Sequence, residues 1–153
     1  MNLLQIKHNK DEALIIAELG SGEWWFTKRL CELFPQSSIH AFEINKEFIQ
    51  TLEKLNYTNL KVYSESAERI WQELWTSVDL VISTLPFTIF NDELTKTIIQ
   101  TSINSLKDNW LFVIIQYSDY SSDLIDSCIW SRAIYTERVM KNVPPAKIFV
   151  YKK

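Results

Sequence analysis

Runs of five to eight residues rich in apolar side chains recur along the chain, and between them the apolar positions fall at helical spacing. The runs are LIIAEL (14–19), SIHAFEI (38–44), LKVYS (60–64), VDLVIST (78–84) and WLFVIIQY (110–117). Several are apolar at nearly every position, which suits strands covered on both faces. Phe26, Leu30, Leu33 and Phe34 form one helical stripe, Phe48, Ile49, Leu52 and Leu55 a second, and Ala67, Ile70, Trp71, Leu74 and Trp75 a third. A longer helix is predicted from about Asn91 to Leu106. The last part changes character: ERVMKNV, the Pro144-Pro145 break and AKIFVYKK read as two strands joined by a tight connection, hence an antiparallel pair. The alternation predicts one domain over 1–153, an α/β fold whose doubly wound, mainly parallel sheet has about seven strands and ends in that antiparallel hairpin. No internal repeat, low-complexity tract or linker interrupts it.

Composition narrows the partners. A chain of 153 residues that is 46% hydrophobic has enough apolar material for one real core. Its net charge of -3 argues against binding nucleic acid through an overall field, so no DNA is expected and RNA is disfavoured. The charge is uneven, because residues 131–153 carry six basic side chains against Glu137 alone. Lysines guarding a sheet edge and a patch for an anionic substrate or lipid headgroup both account for that tail. Cys31 and Cys128 lie far apart and form no C-x-x-C, so neither a metal site nor a redox pair is suggested. With no run of about 18 apolar residues and no signal-like start, the expectation is a cytoplasmic protein, soluble or peripheral at the inner membrane face.

The chemistry concentrates in AELGSGEWW (17–25), which holds both glycines of the chain where the first strand gives way to the first helix. In doubly wound, Rossmann-like sheets that crevice binds nucleotides. Gly20 lets the backbone turn sharply and Gly22 lets it approach a ligand. Glu43 follows at the end of the second strand, where a carboxylate can accept from both ribose hydroxyls. A P-loop would need G-K-[ST], which is absent, and a dinucleotide loop would need a third glycine where Trp24 and Trp25 stand. S-adenosylmethionine carries no phosphate and is cationic at sulfur and amine, so a loop flanked by Glu18 and Glu23 suits it electrostatically.

E-L-G-S-G (18–22), AFEIN (41–45), YSESAE (63–68), DLVISTLPF (79–87), FVIIQYS (112–118) and NVPPAKIFVYKK (142–153) together resemble class I S-adenosylmethionine-dependent methyltransferases. Within that superfamily they resemble bacterial phospholipid N-methyltransferases and their ribosomal RNA adenine dimethylase relatives, from Leu14 onward. The first two motifs speak only of the cofactor; the S-x-LPF, Q-Y-S and N-x-PPAK segments point to the phospholipid group. The resemblance implies that Glu18, Gly20 and Gly22 line the methionine end, that Glu43 takes the ribose and that Ile44 packs on the adenine. Ser66 and Ala67 stand where the superfamily presents an acidic and a small residue to the adenine. Thr84 borders the cofactor, and Leu85, Pro86 and Phe87 open the substrate site. Adenine N-methyltransferases carry N-P-P-Y or a near variant there, whose polar first residue grips a flipped base. Thr84-Leu85-Pro86-Phe87 lacks that grip, and an apolar wall suits a lipid-like amine better.

Transfer to nitrogen requires a deprotonated, oriented acceptor, and Tyr117 and Asp119 past the fifth strand are the candidates for orientation or proton acceptance. Packing for Tyr117 and a turn for Asp119 are the plainer alternatives. His40 reads as structural, and His8 lies in the N-terminal segment. Trp71 and Trp75, at i and i+4, read as core or half-buried packing, and the other four tryptophans are undecided. Two features depart from the family pattern. Trp24 stands where glycine is usual, so its indole either folds onto the surface or fills part of the pocket. Only about thirteen residues precede the first strand, so a partner, a second copy or a bilayer would have to close the site. The expected function is N-methylation of an amine, a phospholipid headgroup or similar small amine being favoured; RNA adenine methylation and a non-catalytic scaffold acting through a partner are the alternatives.

Overall fold

The computed structural model describes residues 13–117, 123–140 and 145–153. Five strands run parallel: β1 (Ile15–Leu19), β2 (Ser38–Phe42), β3 (Leu60–Tyr63), β4 (Val78–Ser83) and β5 (Leu106–Tyr117). Two more, β6 (Tyr135–Val139) and β7 (Ala146–Lys152), complete the sheet in the order β3-β2-β1-β4-β5-β7-β6. β7 runs antiparallel to both of its neighbours. The predicted α/β sheet with a parallel core and an antiparallel end is therefore what forms. The order reverses beside β1, which leads outward to β2 and β3 while β4 and β5 lie on its other side; ligands of such sheets bind at that switch point.

Alternation along the strands feeds two cores. Leu14, Ile16, Ile39, Leu80, Ile82 and Val113 meet Phe26, Leu30 and Phe34 on one face, where α1 (Trp25–Leu33) packs. Ala17, Leu19, Phe42, Val81, Phe112 and Ile114 meet α3 (Ile70–Leu74), α4 (Asp92–Ser105) and α5 (Asp123–Ile129) on the other. β4 is buried at every residue, as a central parallel strand must be. Between β2 and β3 runs α2 (Lys46–Glu53), which buries Ile49 and Leu52 and starts at Asn45, whose side chain accepts from the Glu47 N–H. Asn91 caps α4 in the same way through the Leu94 N–H.

Three expectations need correction. Trp71 and Trp75 are not core residues, being 46% and 83% exposed. The buried stripe is Ala67, Ile70 and Leu74; the helix stops at Leu74, and Trp75 takes a left-handed backbone (φ 50°) that swings its indole out of register. Phe48 also leaves its stripe, standing half-exposed beside the switch-point crevice. β5 begins at Leu106 instead of Trp110, because the polar Lys107-Asp108-Asn109 stretch is accommodated by an irregular register against β4 and a positive φ of 66° at Asn109. The helix α5 was not predicted at all. Pro144, in the expected connection between the last strands, lies outside the described residues.

Candidate active site

The segment after β1 turns back through Gly20 and Ser21, whose N–H groups both donate to the Phe42 carbonyl at the end of β2 (2.9 and 3.2 Å). Both glycines have positive φ, 75° and 49°. Gly20 is constrained twice over, since a Cβ there would stand 2.6 Å from Leu85 Cδ2. Its freedom thus serves a close approach by the protein's own β4 segment. Around Gly22 the nearest atom to such a Cβ is the Gly20 oxygen at 3.7 Å, so the far side of Gly22 is open to a ligand.

Glu43 organises the opposite wall. Its Oε1 accepts from the N–H groups of Ile44 (2.9 Å) and Asn45 (2.8 Å), and Oε2 accepts from Gly22 N–H at 2.7 Å. The carboxylate therefore ties the end of β2 to the glycine loop. A carboxylate offers about four acceptor positions, so one on Oε2 remains for a further donor. Thr84, just past β4, donates its hydroxyl to the Gly20 carbonyl and its N–H to Leu19 (3.0 Å), closing the loop from the third side.

Between these walls lies a cleft of about 480 Å³, bounded by Gly20, Gly22, Glu43, Thr84, Pro86 and Tyr117, with Ile44, Leu85, Phe26 and Phe90 among its apolar walls. A smaller chamber of about 120 Å³ shares Gly20, Glu43, Ile44, Leu85 and Phe90 with it and reaches Glu65, Ser66 and Ala67. Ten of the thirteen expected site residues thus meet at one crevice: Gly20, Gly22, Glu43, Ile44, Ser66, Ala67, Thr84, Leu85, Pro86 and Tyr117. The other three do not. Glu18 is fully buried under the loop; Phe87 is buried in the core against the edge of Phe90, with ring centroids 6.0 Å apart. Asp119 lies outside the described residues.

Glu18 accepts from the Thr27 hydroxyl of α1 through Oε2 at 2.7 Å, and its Oε1 has no hydrogen-bond partner among the described residues. Burial pushes its carboxyl up to about 7, against the Thr27 and Ser21 hydroxyls, which favour the charged form. His40 is held by the Tyr63 hydroxyl (3.0 Å) and Ser38 Oγ (2.9 Å), and burial followed by the Lys61 charge lowers its pKa. It lies away from both chambers, in keeping with a structural role.

Trp24 does not line the cleft. It is 43% exposed at the start of α1, with the Lys28 ammonium 5.5 Å over its ring. The neighbouring Trp25 faces the cleft instead, a helical rotation of about 100° separating adjacent side chains. Trp25, Phe48 and Phe90 are lining residues that the sequence reading missed, and so is Ser21. Trp25 was detectable from its place in the first helical turn after the loop; Phe90 carried no comparable signal. Glu23 and Glu43 are the charged groups of the main cleft, and Glu43 and Glu65 those of the smaller chamber, where Glu65 pairs with Arg69 at 3.1 Å; among the described residues no lysine or arginine lines either. Among the described residues there is no His, Cys, Asp and Glu cluster that could hold a metal, and no helix long and apolar enough to cross a membrane.

No protein-family model matches the chain. Two curated proteins are similar: the malonyl-[acyl-carrier protein] O-methyltransferase of Bacillus anthracis is 29% identical over 93 residues, covering 60% of this chain and 34% of that protein. Its counterpart in Halalkalibacterium halodurans is 27% identical over 123 residues, 77% of this chain and 45% of the relative. The chain therefore spans less than half the length of the curated relatives it matches. Among solved structures, TrmN from Thermus thermophilus superposes with a TM-score of 0.77 at 10% identity, covering 92% of this chain and 44% of that one. The N-methyltransferase NodS from Bradyrhizobium japonicum gives 0.74 at 10% identity, covering 92% and 86%. Magnesium protoporphyrin IX methyltransferase from Synechocystis, solved with bound S-adenosylmethionine, gives 0.73 at 12% identity, covering 93% and 70%. The fold is that of the class I S-adenosylmethionine-dependent methyltransferases.

Proposed function

We propose that this domain transfers a methyl group from S-adenosylmethionine to an amine, with a phospholipid headgroup or a similar small amine as the favoured acceptor. The observation that carries the reading is the charge of the cleft. Its walls present Glu23 and Glu43, Glu18 lies beneath, and among the described residues no basic side chain lines it. In a partly desolvated crevice such walls attract the cationic sulfonium and an amine, while an anionic group entering as the acceptor itself is repelled; the phosphate of a phospholipid acceptor has to stay outside the cleft. The residues present fit the cofactor: Gly22 is open on its far side, Glu43 keeps an acceptor position, and Ile44 with Leu85 forms an apolar slot leading to Ser66 and Ala67.

When bound, S-adenosylmethionine supplies an electrophilic methyl group; the acceptor lone pair forms the new bond as the carbon–sulfur bond breaks with its electrons left on sulfur. The chain's task is orientation and exclusion of water. Trp25, Phe48, Leu85, Pro86 and Phe90 supply an apolar rim that favours a neutral amine over an ammonium. Tyr117, at the mouth, is the group we assign to orienting that amine through its hydroxyl. Asp119, two residues on, is the candidate for accepting its proton. Closure of the cleft by a membrane surface, a second copy or another partner belongs to the same proposal.

The names of the two curated relatives favour a second reading, methylation of a carboxylate oxygen. The absence of a basic lining residue among the described residues weighs against it. RNA adenine is disfavoured by the apolar Leu85-Pro86 wall and the acidic charge balance. Of the two features behind the scaffold reading, Trp24 and the short segment before the first strand, Trp24 does not line the cleft.

Calorimetry with S-adenosylmethionine comes first, on the wild type and on Glu43→Ala. Wild-type binding at about micromolar Kd, weakened at least about hundredfold by the substitution, is expected, since three backbone donors lose their acceptor and the ligand loses a charged one. Transfer of a labelled methyl group to phosphatidylethanolamine vesicles, a malonyl thioester of acyl-carrier protein and an adenine-rich RNA then separates the acceptors. Label in the lipid supports the proposal, and label only in the thioester replaces it with the carboxylate reading. A wild type that does not bind the cofactor would leave the scaffold reading.

A further inference from the structure

Gln116, the penultimate residue of β5, is 1% exposed and does not line the cleft, yet its amide holds the segment that does. Its Nε2 donates to the Leu85 carbonyl at 2.6 Å and to the Ile115 carbonyl at 2.9 Å, while its Oε1 accepts from the Phe87 N–H at 3.2 Å. The amide orientation is fixed by these partners, because two carbonyls face the nitrogen and an N–H faces the oxygen. The Phe87 N–H also donates to Leu85 (2.9 Å), so Leu85-Pro86-Phe87 closes as a three-residue turn gripped at both ends by one side chain.

The grip reaches further. Leu85 fills the space that the missing Cβ of Gly20 leaves, and Thr84, next to it, hydrogen-bonds the Gly20 carbonyl. Gln116, Leu85 and Gly20 form a continuous line from β5 through the acceptor wall to the glycine loop. Resting on the methyl-transfer reading of this cleft, we infer that Gln116 is a positioning residue that holds the acceptor wall and the cofactor loop as one unit. It touches neither ligand and acts through Leu85.

The argument is one of preorganisation. The β4 exit carries Pro86, which has no N–H to donate, and Thr84, which spends its hydroxyl on the loop. Without the Gln116 amide, the Leu85 carbonyl loses its side-chain donor and the Phe87 N–H one of its two acceptors. The Leu85 side chain can then leave Gly20, and a loop that is no longer held must be ordered at the cost of binding.

The test uses S-adenosylhomocysteine as the probe, with calorimetric Kd as the readout. Gln116→Met, similar in size but without the amide, should weaken binding about tenfold while retaining cooperative thermal unfolding. Leu85→Ala should weaken binding too, and the double variant should be no worse than the poorer single one, because both break the same line. Gln116→Glu gives a pH signature: its neutral carboxyl can donate its single O–H to the Leu85 carbonyl and accept from the Phe87 N–H, giving up only the second donation to Ile115, whereas its carboxylate repels the Leu85 carbonyl. Relative to the wild type at each pH, its affinity should be near normal at pH 5 and fall as pH rises to 8. The inference is overturned if Gln116→Met binds within twofold of the wild type, if its effect simply adds to that of Leu85→Ala, or if the Gln116→Glu deficit does not change with pH. A wild type that fails to bind the probe instead overturns the reading of the cleft on which the inference rests.

Discussion

Asp79 and Glu18 are both buried carboxylates on adjacent parallel strands, and the protein treats them in opposite ways. Asp79, near the start of β4, accepts from the Ile15 N–H at 2.8 Å and pairs with Lys107 at 2.6 Å, so both oxygens are engaged. Glu18, near the end of β1, has the Thr27 hydroxyl on one oxygen and no well-formed hydrogen bond among the described residues on the other, which has only the nearby Ser21 hydroxyl to favour its charged form. A buried acceptor left without a donor normally costs on the order of 1–3 kcal/mol. That cost falls at the end of the sheet where Gly20, Gly22 and Glu43 meet. One end of the strands closes its polar groups on the protein itself, and the other keeps unused hydrogen-bonding and electrostatic capacity under the cleft.

The sharpest way to break this contrast is pH. The Glu18 carboxyl is pushed up to about 7 chiefly by burial, with the Thr27 and Ser21 hydroxyls opposing and the Glu43 charge adding to the rise. An unfolded glutamate titrates near 4.3, so between about pH 4.5 and 7 the native state binds more protons than the unfolded state. Its contribution to stability is therefore fully present below about pH 4.5 and is lost as pH rises to about 7. The size of the loss is about 3 kcal/mol. Glu18→Gln removes the titration, so its stability relative to the wild type should increase from pH 5 to pH 8 in urea unfolding. Parallel curves at both pH values would mean that the Ser21 hydroxyl or another donor satisfies the Glu18 carboxylate fully.

Asp79→Ala tests the closed end. It strips the Ile15 N–H of its acceptor and leaves Lys107, whose side chain is partly exposed, free to rehydrate. We expect a loss of about 2 kcal/mol in unfolding free energy and no change in S-adenosylhomocysteine Kd beyond about twofold. A large loss of affinity would show that the two ends of the sheet are not separable.

What the sequence revealed follows the range of the interactions involved. Strand positions were legible because β1, β2 and β4 are covered on both faces and carry continuous apolar runs, a local signal. The glycine loop and Glu43 were legible because the turn chemistry and the spacing to the next strand end are also local. Gln116 was not, since its partners Leu85 and Phe87 lie 31 and 29 residues away and meet it only when β4 and β5 pair. The same holds for Glu18, expected on the wall: alternation turns it toward α1 and Thr27, beneath the loop. Trp75 failed because helical spacing assumes a continuing helix, and this one ends at Leu74; Trp71, inside the helix, follows Ile70 by one position and so turns about 100° away from the buried stripe of Ala67, Ile70 and Leu74. Phe87 failed because the turn held by Gln116 sends Pro86 to the cleft and Phe87 to the core.

The smallest predicted effect separates two neighbours within the open end. Trp24 and Trp25 are 43% and 54% exposed, so exposure alone does not distinguish them; direction does. Trp25 lines the cleft and packs edge-on to Phe26 at 5.6 Å, whereas Trp24 lies under Lys28. Trp24→Gly should cost about 0.5–1 kcal/mol of stability, the magnitude of an exposed cation–π contact, because glycine is acceptable at a helix start. Its S-adenosylhomocysteine Kd should stay within about threefold of the wild type, while Trp25→Ala, which removes an aromatic wall, should raise the Kd by about tenfold. Tighter binding by Trp24→Gly would mean that the indole swings into the cleft, and the acidic, open end of the sheet would then be partly filled by its own chain.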